Sequence, residues 1–245
     1  MKWRVILATS LAGLLFFSVA QAEDEVDEDK SGFFVSASLG ATFFRSPEVR
    51  DRGPNSFELY SGPYTVESPN LVVGGALGLS TRYLDHRISY DYRSSDQKLS
   101  GAEFRVFTVM YQPTAKVPLS VLGASPDGFF GRSWVYLGFG VGAAQGKTSL
   151  SGEFYLPAPP IPEQRVPLIA HVDGWTFAYQ AAVGVVFPIT DQVGLEVGYR
   201  YVGSTDFQVV PAATVEENAP PVQLGDWALS YGTNELTIGI RFEFQ

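Results

Sequence analysis

The sequence predicts an all-β protein, an eight-stranded antiparallel up-and-down transmembrane β-barrel. The first observation is that the segment 235–244 alternates without a break, and the second is that seven further segments repeat the pattern. The third is that each segment is about as long as a tilted strand needs to cross a bilayer. Since strand side chains have a period of two, these segments place apolar residues on one face and polar residues on the other.

The N-terminus has the form of a secretory signal peptide. Lys2 and Arg4 precede an apolar stretch, residues 5–17, and Ala20-Gln21-Ala22 is a small-x-small cleavage site. The apolar stretch is too short to span a membrane as a helix, and no longer apolar run follows it. We therefore predict a signal peptide over residues 1–22, an acidic spacer over 23–31 and the barrel over 32–245. A calcium-binding role for the acidic run is an alternative, although it lacks the spacing of a defined calcium loop.

Composition excludes several classes of function. The chain has no cysteine, so it has neither disulfides nor thiol or cysteine-metal chemistry. Its net charge of −9 makes nucleic acid a poor match, and no nucleic-acid partner is expected. No cofactor is predicted.

The first four predicted strands are residues 32–44, 71–83, 87–95 and 103–111. The second strand ends with Arg82 on its polar face, and the third has Arg87, Asp91 and Arg93 on its polar face. The fourth pattern is mixed, because Phe107, Val109 and Tyr111 share the phase of Glu103 and Arg105. We expect a strand there, but the pattern leaves its facing open.

The last four predicted strands are residues 134–145, 174–187, 193–203 and 235–244. The fifth carries a row of glycines, Gly138, Gly140 and Gly142, on its inward face. The sixth alternates from Trp175 to Phe187, and the seventh places Glu196 and Arg200 inward. Because an open sheet edge cannot be left in lipid, eight such strands are expected to close into a barrel.

The connections predict an orientation. Long loops (45–70, 95–102, 146–173 and 204–233) alternate with the turns 84–86, 112–133 and 188–192. Barrels of this kind keep long loops outside the cell and short turns in the periplasm, so both termini are expected to be periplasmic. The turn 112–133 is longer than this rule predicts and could contain a short extra element.

Three segments carry a resemblance to a known family: Phe177-Ala178-Tyr179-Gln180 with Ala182-Val183-Gly184, the strand 195–201, and the closing strand 235–244. The chain resembles the small outer-membrane β-barrels of Gram-negative bacteria, which include opacity proteins, surface antigens and OmpA-type barrel domains. The resemblance covers nearly all of the mature chain. It implies an outer-membrane location, contact with membrane lipid and lipopolysaccharide, and insertion by the barrel-assembly machinery.

Such proteins typically end on an aromatic residue that the assembly machinery reads, whereas here Gln245 follows Phe244. The residues that the resemblance assigns to this C-terminal assembly signal are Tyr231, Leu236, Ile238, Ile240, Phe242 and Phe244.

Charged residues of both signs collect on the predicted inward face. They are Arg82, Arg87, Asp91, Arg93, Glu103, Arg105, Glu196, Arg200, Arg241 and Glu243. Side chains just fill the interior of an eight-stranded barrel, so these groups are expected to form a hydrogen-bonded ionic plug. A narrow or gated ion path is the alternative.

The loops are the expected working parts. Loop one contains the aromatic residues Phe57, Tyr60 and Tyr64, and loop three is rich in proline over 156–162, both features of recognition surfaces. We predict a non-enzymatic surface protein, either antigen- or adhesin-like with an extracellular ligand at the loops, or a structural membrane component. The alternative is a porin-like pore of low conductance for small solutes.

A remote alternative is a lipid A-modifying barrel enzyme that uses His171 with Ser149 or Ser151. The only two histidines, His86 and His171, are expected on opposite sides of the membrane, which excludes a multi-histidine metal site. No catalytic or metal site is predicted.

Overall fold

The structure is a computed structural model that describes residues 32–44, 48–51, 69–97, 102–125, 128–156, 164–213, 222–223 and 227–244. The predicted signal peptide, the acidic spacer, the loop-one aromatics and most of the proline-rich stretch of loop three lie outside these residues. Across the described ranges, no helix has both the length and the apolar character needed to cross a membrane.

The described residues form twelve strands. They are β1 (Gly32–Phe44), β2 (Glu48–Asp51), β3 (Asn70–Ser80), β4 (Leu84–Gln97), β5 (Ala102–Pro118), β6 (Trp134–Leu156), β7 (Gln164–Pro188), β8 (Val193–Ser204), β9 (Phe207–Ala213), β10 (Val222–Gln223), β11 (Trp227–Ser230) and β12 (Gly232–Phe244).

Eight of these strands close into an antiparallel ring in the order β1, β3, β4, β5, β6, β7, β8 and β12, with β12 pairing back to β1. This confirms the predicted fold class. Leu39 pairs with Ile238 where the first and last strands meet, so the closure falls between two strands that alternate in the same way. A closed ring leaves no strand edge unpaired, as a barrel in lipid requires.

The outer face of the ring is apolar and exposed. Leu71 of β3 is 60 % exposed and Trp175 of β7 is 61 % exposed. Aromatic pairs lie near both ends of the strands, for example Phe33 with Phe244 and Tyr179 with Tyr201. An apolar belt bounded by aromatic residues is typical of a surface that contacts lipid.

The structure settles the facing of the fourth barrel strand. Val106 and Met110 of β5 are fully buried inside the ring, and Val109 and Tyr111 are exposed outside it. The expected inward position of Arg105 is therefore wrong: it shares the outward phase of Val109 and is exposed. The inner face of β5 is identified by its buried polar side chains, which are Thr108, Gln112 and Thr114.

Two strands extend far beyond the barrel. The predicted loop 146–173 is largely the outer parts of β6 and β7, which stay paired from Thr148 and Val172 to Leu156 and Gln164. Beyond β8, β9 pairs with the outer part of β7, β11 pairs with β9, and β2 pairs with β11. We call this extension the outer sheet; it includes β10, which pairs with β9. The end of the barrel that carries the outer sheet is called the hairpin end.

The opposite end, here the turn end, carries the turns 81–83 and 189–192 and, between β5 and β6, the described residues 119–125 and 128–133. Two predicted boundaries are corrected there. β4 begins at Leu84, so Asp85 is a strand residue and Arg82 is a turn residue. β5 continues to Pro118, so the first part of the long turn is strand, and the rest, as far as it is described, is a series of hydrogen-bonded turns.

Candidate functional site in the barrel interior

The inner face of the barrel holds two groups of ion pairs, one near each end. The hairpin-end cluster consists of Asp91, Arg93, Arg200 and Glu235. The carboxylate of Glu235 accepts hydrogen bonds from both Arg93 and Arg200. Nη2 of Arg200 also donates to Oδ1 of Asp91 at 2.8 Å. Arg93, Asp91 and Glu235 are almost completely buried, so each charge is compensated within the cluster.

Strand register and small residues bring this cluster together. Arg200 of β8 is directly opposite Glu235 of β12 in the register. Arg93 reaches Glu235 from β4, across the lumen. On β3, a Cβ at Gly74 would collide with the Asp91 carboxylate, so glycine provides the space that this side chain occupies. Two hydroxyls complete the hydrogen bonding: Thr108 accepts from Arg93 at 2.8 Å, and Thr233 donates to Glu235 at 2.9 Å.

The turn-end cluster consists of Asp85, Lys116, Arg241 and Glu243. Asp85 forms ion pairs with Nζ of Lys116 at 2.8 Å and with Arg241. Nε of Arg241 lies 2.8 Å from Oε1 of Glu243, whose side chain is 28 % exposed. Nζ of Lys116 also donates to the hydroxyl of Ser80 at 2.7 Å.

A bidentate pair lies between the two clusters. Nη1 and Nη2 of Arg87 donate to the two carboxylate oxygens of Glu196 at 2.9 and 3.2 Å. The Phe34 ring is in contact with two guanidinium groups, with its centroid 3.8 Å from Cζ of Arg241 and 5.6 Å from Cζ of Arg87. Such cation–π contacts let an apolar ring share a narrow lumen with cations. Beside the ring, a Cβ at Gly78 would lie 2.8 Å from Phe34, so glycine leaves the space that the ring occupies.

The hairpin end of the lumen is covered by apolar side chains. Phe207 enters from β9, is 1 % exposed and packs against Tyr231 at a ring distance of 6.3 Å. On the facing strand, Gly146 leaves space for the Phe207 ring. Val106 and Val202 are fully buried on the inner face. The hairpin-end cluster therefore has an apolar layer in the mouth of the barrel beyond it.

A small polar cavity remains near the middle of the lumen. Its volume is about 30 Å³, and its lining includes Ser89, Asp91, Gln112 and Tyr136. Polar atoms of the first three of these residues are buried without a protein hydrogen-bond partner. A polar cavity of this size fits ordered water, which would satisfy such atoms.

The structure brings most of the predicted interior charges together but not all of them. Arg82 lies in the turn 81–83, exposed, with its guanidinium 5.2 Å from the Tyr83 ring centroid. Arg105 lies on the outer face, and the side chain of Glu103 is outside the described residues. The predicted charges that do form ion pairs in the interior are Arg87, Asp91, Arg93, Glu196, Arg200, Arg241 and Glu243.

Among the residues whose side chains the structure describes, three interior charges were missing from the predicted set: Asp85, Lys116 and Glu235. The first two fell in segments assigned to turns, although Asp85 continues the phase of Arg87 and Lys116 continues that of Gln112. Glu235 alternates with Leu236 in the closing strand, so its polar phase already indicated an inward position.

The predicted assembly residues separate into two groups. Leu236, Ile238, Ile240, Phe242 and Phe244 lie on the outer face and are exposed. Tyr231 does not belong with them, because it is 4 % exposed and packs between Phe44 and Phe207. Tyr231 is two residues before Thr233 and four before Glu235, so it shares the alternation that turns these buried side chains inward.

The histidines do not meet. His86 lies on the outer face near the turn end, where its Nδ1 and the Tyr111 hydroxyl are 2.7 Å apart. His171 is in the outer part of β7, opposite Ser149 in the register, and both side chains lie outside the described residues. Over the described part of the chain, no three His, Asp or Glu side chains are arranged to hold a metal ion.

The chain was compared with protein families, curated proteins and solved structures. The outer membrane protein beta-barrel domain family matches residues 9–244. No curated protein matches the chain. Among solved structures, Neisserial surface protein A is 15 % identical with a TM-score of 0.48, over 86 % of this chain and 97 % of its own. A major outer membrane protein from Thermus thermophilus is 13 % identical with a TM-score of 0.46, over 86 % and 99 %. The outer membrane protease OmpT from Escherichia coli is 11 % identical with a TM-score of 0.39, over 90 % and 99 %.

Proposed function

The chain belongs to the outer membrane protein beta-barrel domain family, and we propose that its barrel is a closed membrane anchor for the outer sheet. The outer sheet would face the cell exterior and act as an adhesin-like or antigenic binding surface. In this proposal the protein has no catalytic role. The ion pairs across the lumen are the observation that carries it.

The interior supports an anchor because its contacts cross the barrel. Arg93 to Glu235 and Arg87 to Glu196 each join strands that are not neighbours in the wall. Nε2 of Gln180 donates to Oε1 of Gln112 at 2.6 Å, again between non-adjacent strands. A hydrated ion would have to displace these paired groups, and leaving a buried charge without its partner is strongly unfavourable.

The outer sheet supports a binding role because it extends β6 and β7 well past the ring. Strands that end at the membrane surface would suffice for an anchor alone. Here β6 has 23 residues and β7 has 25, whereas β12 has 13. Paired strands beyond the membrane would provide a defined surface on which a partner could bind with less loss of conformational freedom than on unpaired chain.

The orientation can be tested by cysteine labelling, because the chain has no cysteine of its own. Gln208→Cys is at an exposed position of the outer sheet, and Asp191→Cys is at an exposed position of a turn at the other end. An impermeant maleimide should label Gln208→Cys, but not Asp191→Cys, on intact cells. Labelling of Asp191→Cys alone would reverse the orientation and overturn the proposal.

The binding role can be tested with a shortened hairpin. In this variant Asn-Gly replaces residues 153–167, which joins Gly152 to Leu168, a pair already opposite each other in the register. A laboratory strain with the wild-type protein should adhere to cultured epithelial cells more than the same strain with the variant. Equal adhesion at equal surface amounts would contradict a binding role of this hairpin.

A pore of low conductance is the second candidate, and the polar cavity favours it. The cavity is lined by Ser36 and Ser89 together with the charged groups of Arg87 and Asp91. If it were part of a continuous path, liposomes containing the protein would swell in an isotonic solution of a small sugar such as arabinose. The anchor proposal requires no swelling above that of protein-free liposomes.

A further inference from the structure

The turn between β5 and β6 has an apolar surface that neither the ion pairs nor the outer sheet explains. We call its described residues, 119–125 and 128–133, the apolar turn. Val121 is 71 % exposed, Leu122 is 65 % exposed and Phe130 is 61 % exposed. In the neighbouring turn, Ile189 is 59 % exposed. Exposed apolar residues grouped in this way indicate an interaction surface.

This surface is continuous with the lipid-facing belt of the barrel. The rings of Phe129 and Phe187 stack with centroids 5.8 Å apart and an interplanar angle of 3°. Phe130 meets the same ring edge-on at 6.4 Å. Phe187 ends the outward row of β7 that includes Val183, so the turn folds back against the outer wall and does not hang below the lumen.

The described backbone of the apolar turn pairs largely with itself, as contact with lipid requires. The amide of Leu119 donates to the Ser133 carbonyl at 2.8 Å and closes the base of the turn. Within it, the amides of residues 121–124 donate to carbonyls of residues 118–120, and those of 131–133 donate to carbonyls of 128 and 130. Gly123 has a positive φ of 99°, which ends the first turn. Backbone groups without a partner would prevent insertion, because lipid offers them none.

We propose that the apolar turn inserts into the phospholipid leaflet at the turn end of the barrel and sets the depth at which the barrel lies. Its occupant is lipid, since its aromatic residues stack on a face that already contacts lipid. Val121 and Leu122 enter the boundary between headgroups and acyl chains. Arg132, exposed in the same turn, reaches the phosphate layer.

Spin labels on single cysteines test this proposal. The reporter variant is Leu122→Cys, the lipid reference is Val183→Cys in the belt, and the water reference is Asp191→Cys in the neighbouring turn. The complete protein is placed at low density in vesicles of phosphatidylethanolamine and phosphatidylglycerol. Each label is then exposed to oxygen, which concentrates in lipid, or to a water-soluble nickel chelate.

The proposal predicts that Leu122→Cys resembles Val183→Cys, with more oxygen collisions and fewer nickel collisions than Asp191→Cys. Nickel access equal to that at Asp191→Cys would mean that the turn lies in water, which overturns the proposal. Low access to both reagents would mean that protein covers the turn, which also overturns it. Because Leu122 is exposed, the substitution removes little packing, and a heat-dependent shift in gel mobility confirms that each variant is folded.

Discussion

Arg93 of β4 and Glu235 of β12 meet across the lumen, although β3 and β1 separate their strands in the barrel wall. Glu235 also binds Arg200, and Arg200 binds Asp91, so one carboxylate links three parts of the wall. This contact is nonlocal in both sequence and strand order. The backbone pairing of β1 with β12 closes the ring, and the paired charges tie its walls together across an interior that also contains buried apolar side chains such as Val106.

Neutralising the carboxylate of Glu235 should strongly lower the stability of the protein. Glu235→Gln leaves Arg93 and Arg200 to share the single carboxylate of Asp91, so one buried positive charge is uncompensated, which typically costs about 3–5 kcal/mol. We expect the free energy of unfolding, measured by urea titration in lipid vesicles, to fall by that amount. Glu243→Gln is the matched control, because the Glu243 side chain is partly exposed and its partner Arg241 stays paired with Asp85; the loss of stability should be at most about 1 kcal/mol. Similar losses for the two variants would argue against a special role of Glu235.

Arg87 and Glu196 should show strong energetic coupling. Arg87→Met and Glu196→Met each leave the other member of the pair as a buried charge without its partner. The double variant removes both charges of the pair. The pair is bidentate, and its side chains are 10 % and 12 % exposed. We expect the double variant to be more stable than the sum of the single effects predicts, with a coupling of about 0.5–3 kcal/mol from the same urea titrations. Additive effects would mean that the two groups do not stabilise each other.

Gly74 should not tolerate a methyl group. Its added Cβ would overlap the Asp91 carboxylate, which is held by Arg200 and cannot move away freely. Gly74→Ala should therefore lower stability by about 1–3 kcal/mol, the usual range for overpacking. Gly174→Ala is the control, because an added Cβ there meets no atom within 4 Å. Equal effects of the two substitutions on the unfolding midpoint would mean that the contact with Asp91 does not explain why position 74 is glycine.

The protein should not modify lipid A. Ser149 and His171 are opposite each other in the outer parts of β6 and β7, which is the arrangement that an enzymatic role would have to use. We expect the mass spectrum of lipid A to be the same in cells with and without the protein. A new lipid A mass that His171→Ala abolishes would establish an enzyme.

The sequence predicted those strands whose outer face meets lipid. From Trp175 to Phe187 every outward position of β7 is apolar or aromatic, so the period of two is plain. The outer parts of β6 and β7 were missed because, beyond the belt, no face must be apolar and the alternation fades. Most interior charges were predicted where the strand phase was clear, as for Arg87 and Glu196, but Glu235 was left out although its phase was clear. Lys116 and Arg82 were misassigned because each lies within a few residues of a boundary that the pattern did not define.

The closed interior is the central claim, and single-channel recording tests it most directly. Purified protein that keeps its heat-dependent gel mobility is inserted into planar bilayers under an applied voltage. We predict no discrete, reproducible openings from the wild-type protein, because the paired charges and the Phe207 and Tyr231 rings fill the path. Steady openings whose ion selectivity changes when Arg93 or Arg200 is neutralised would contradict the account and identify the lumen as a pore.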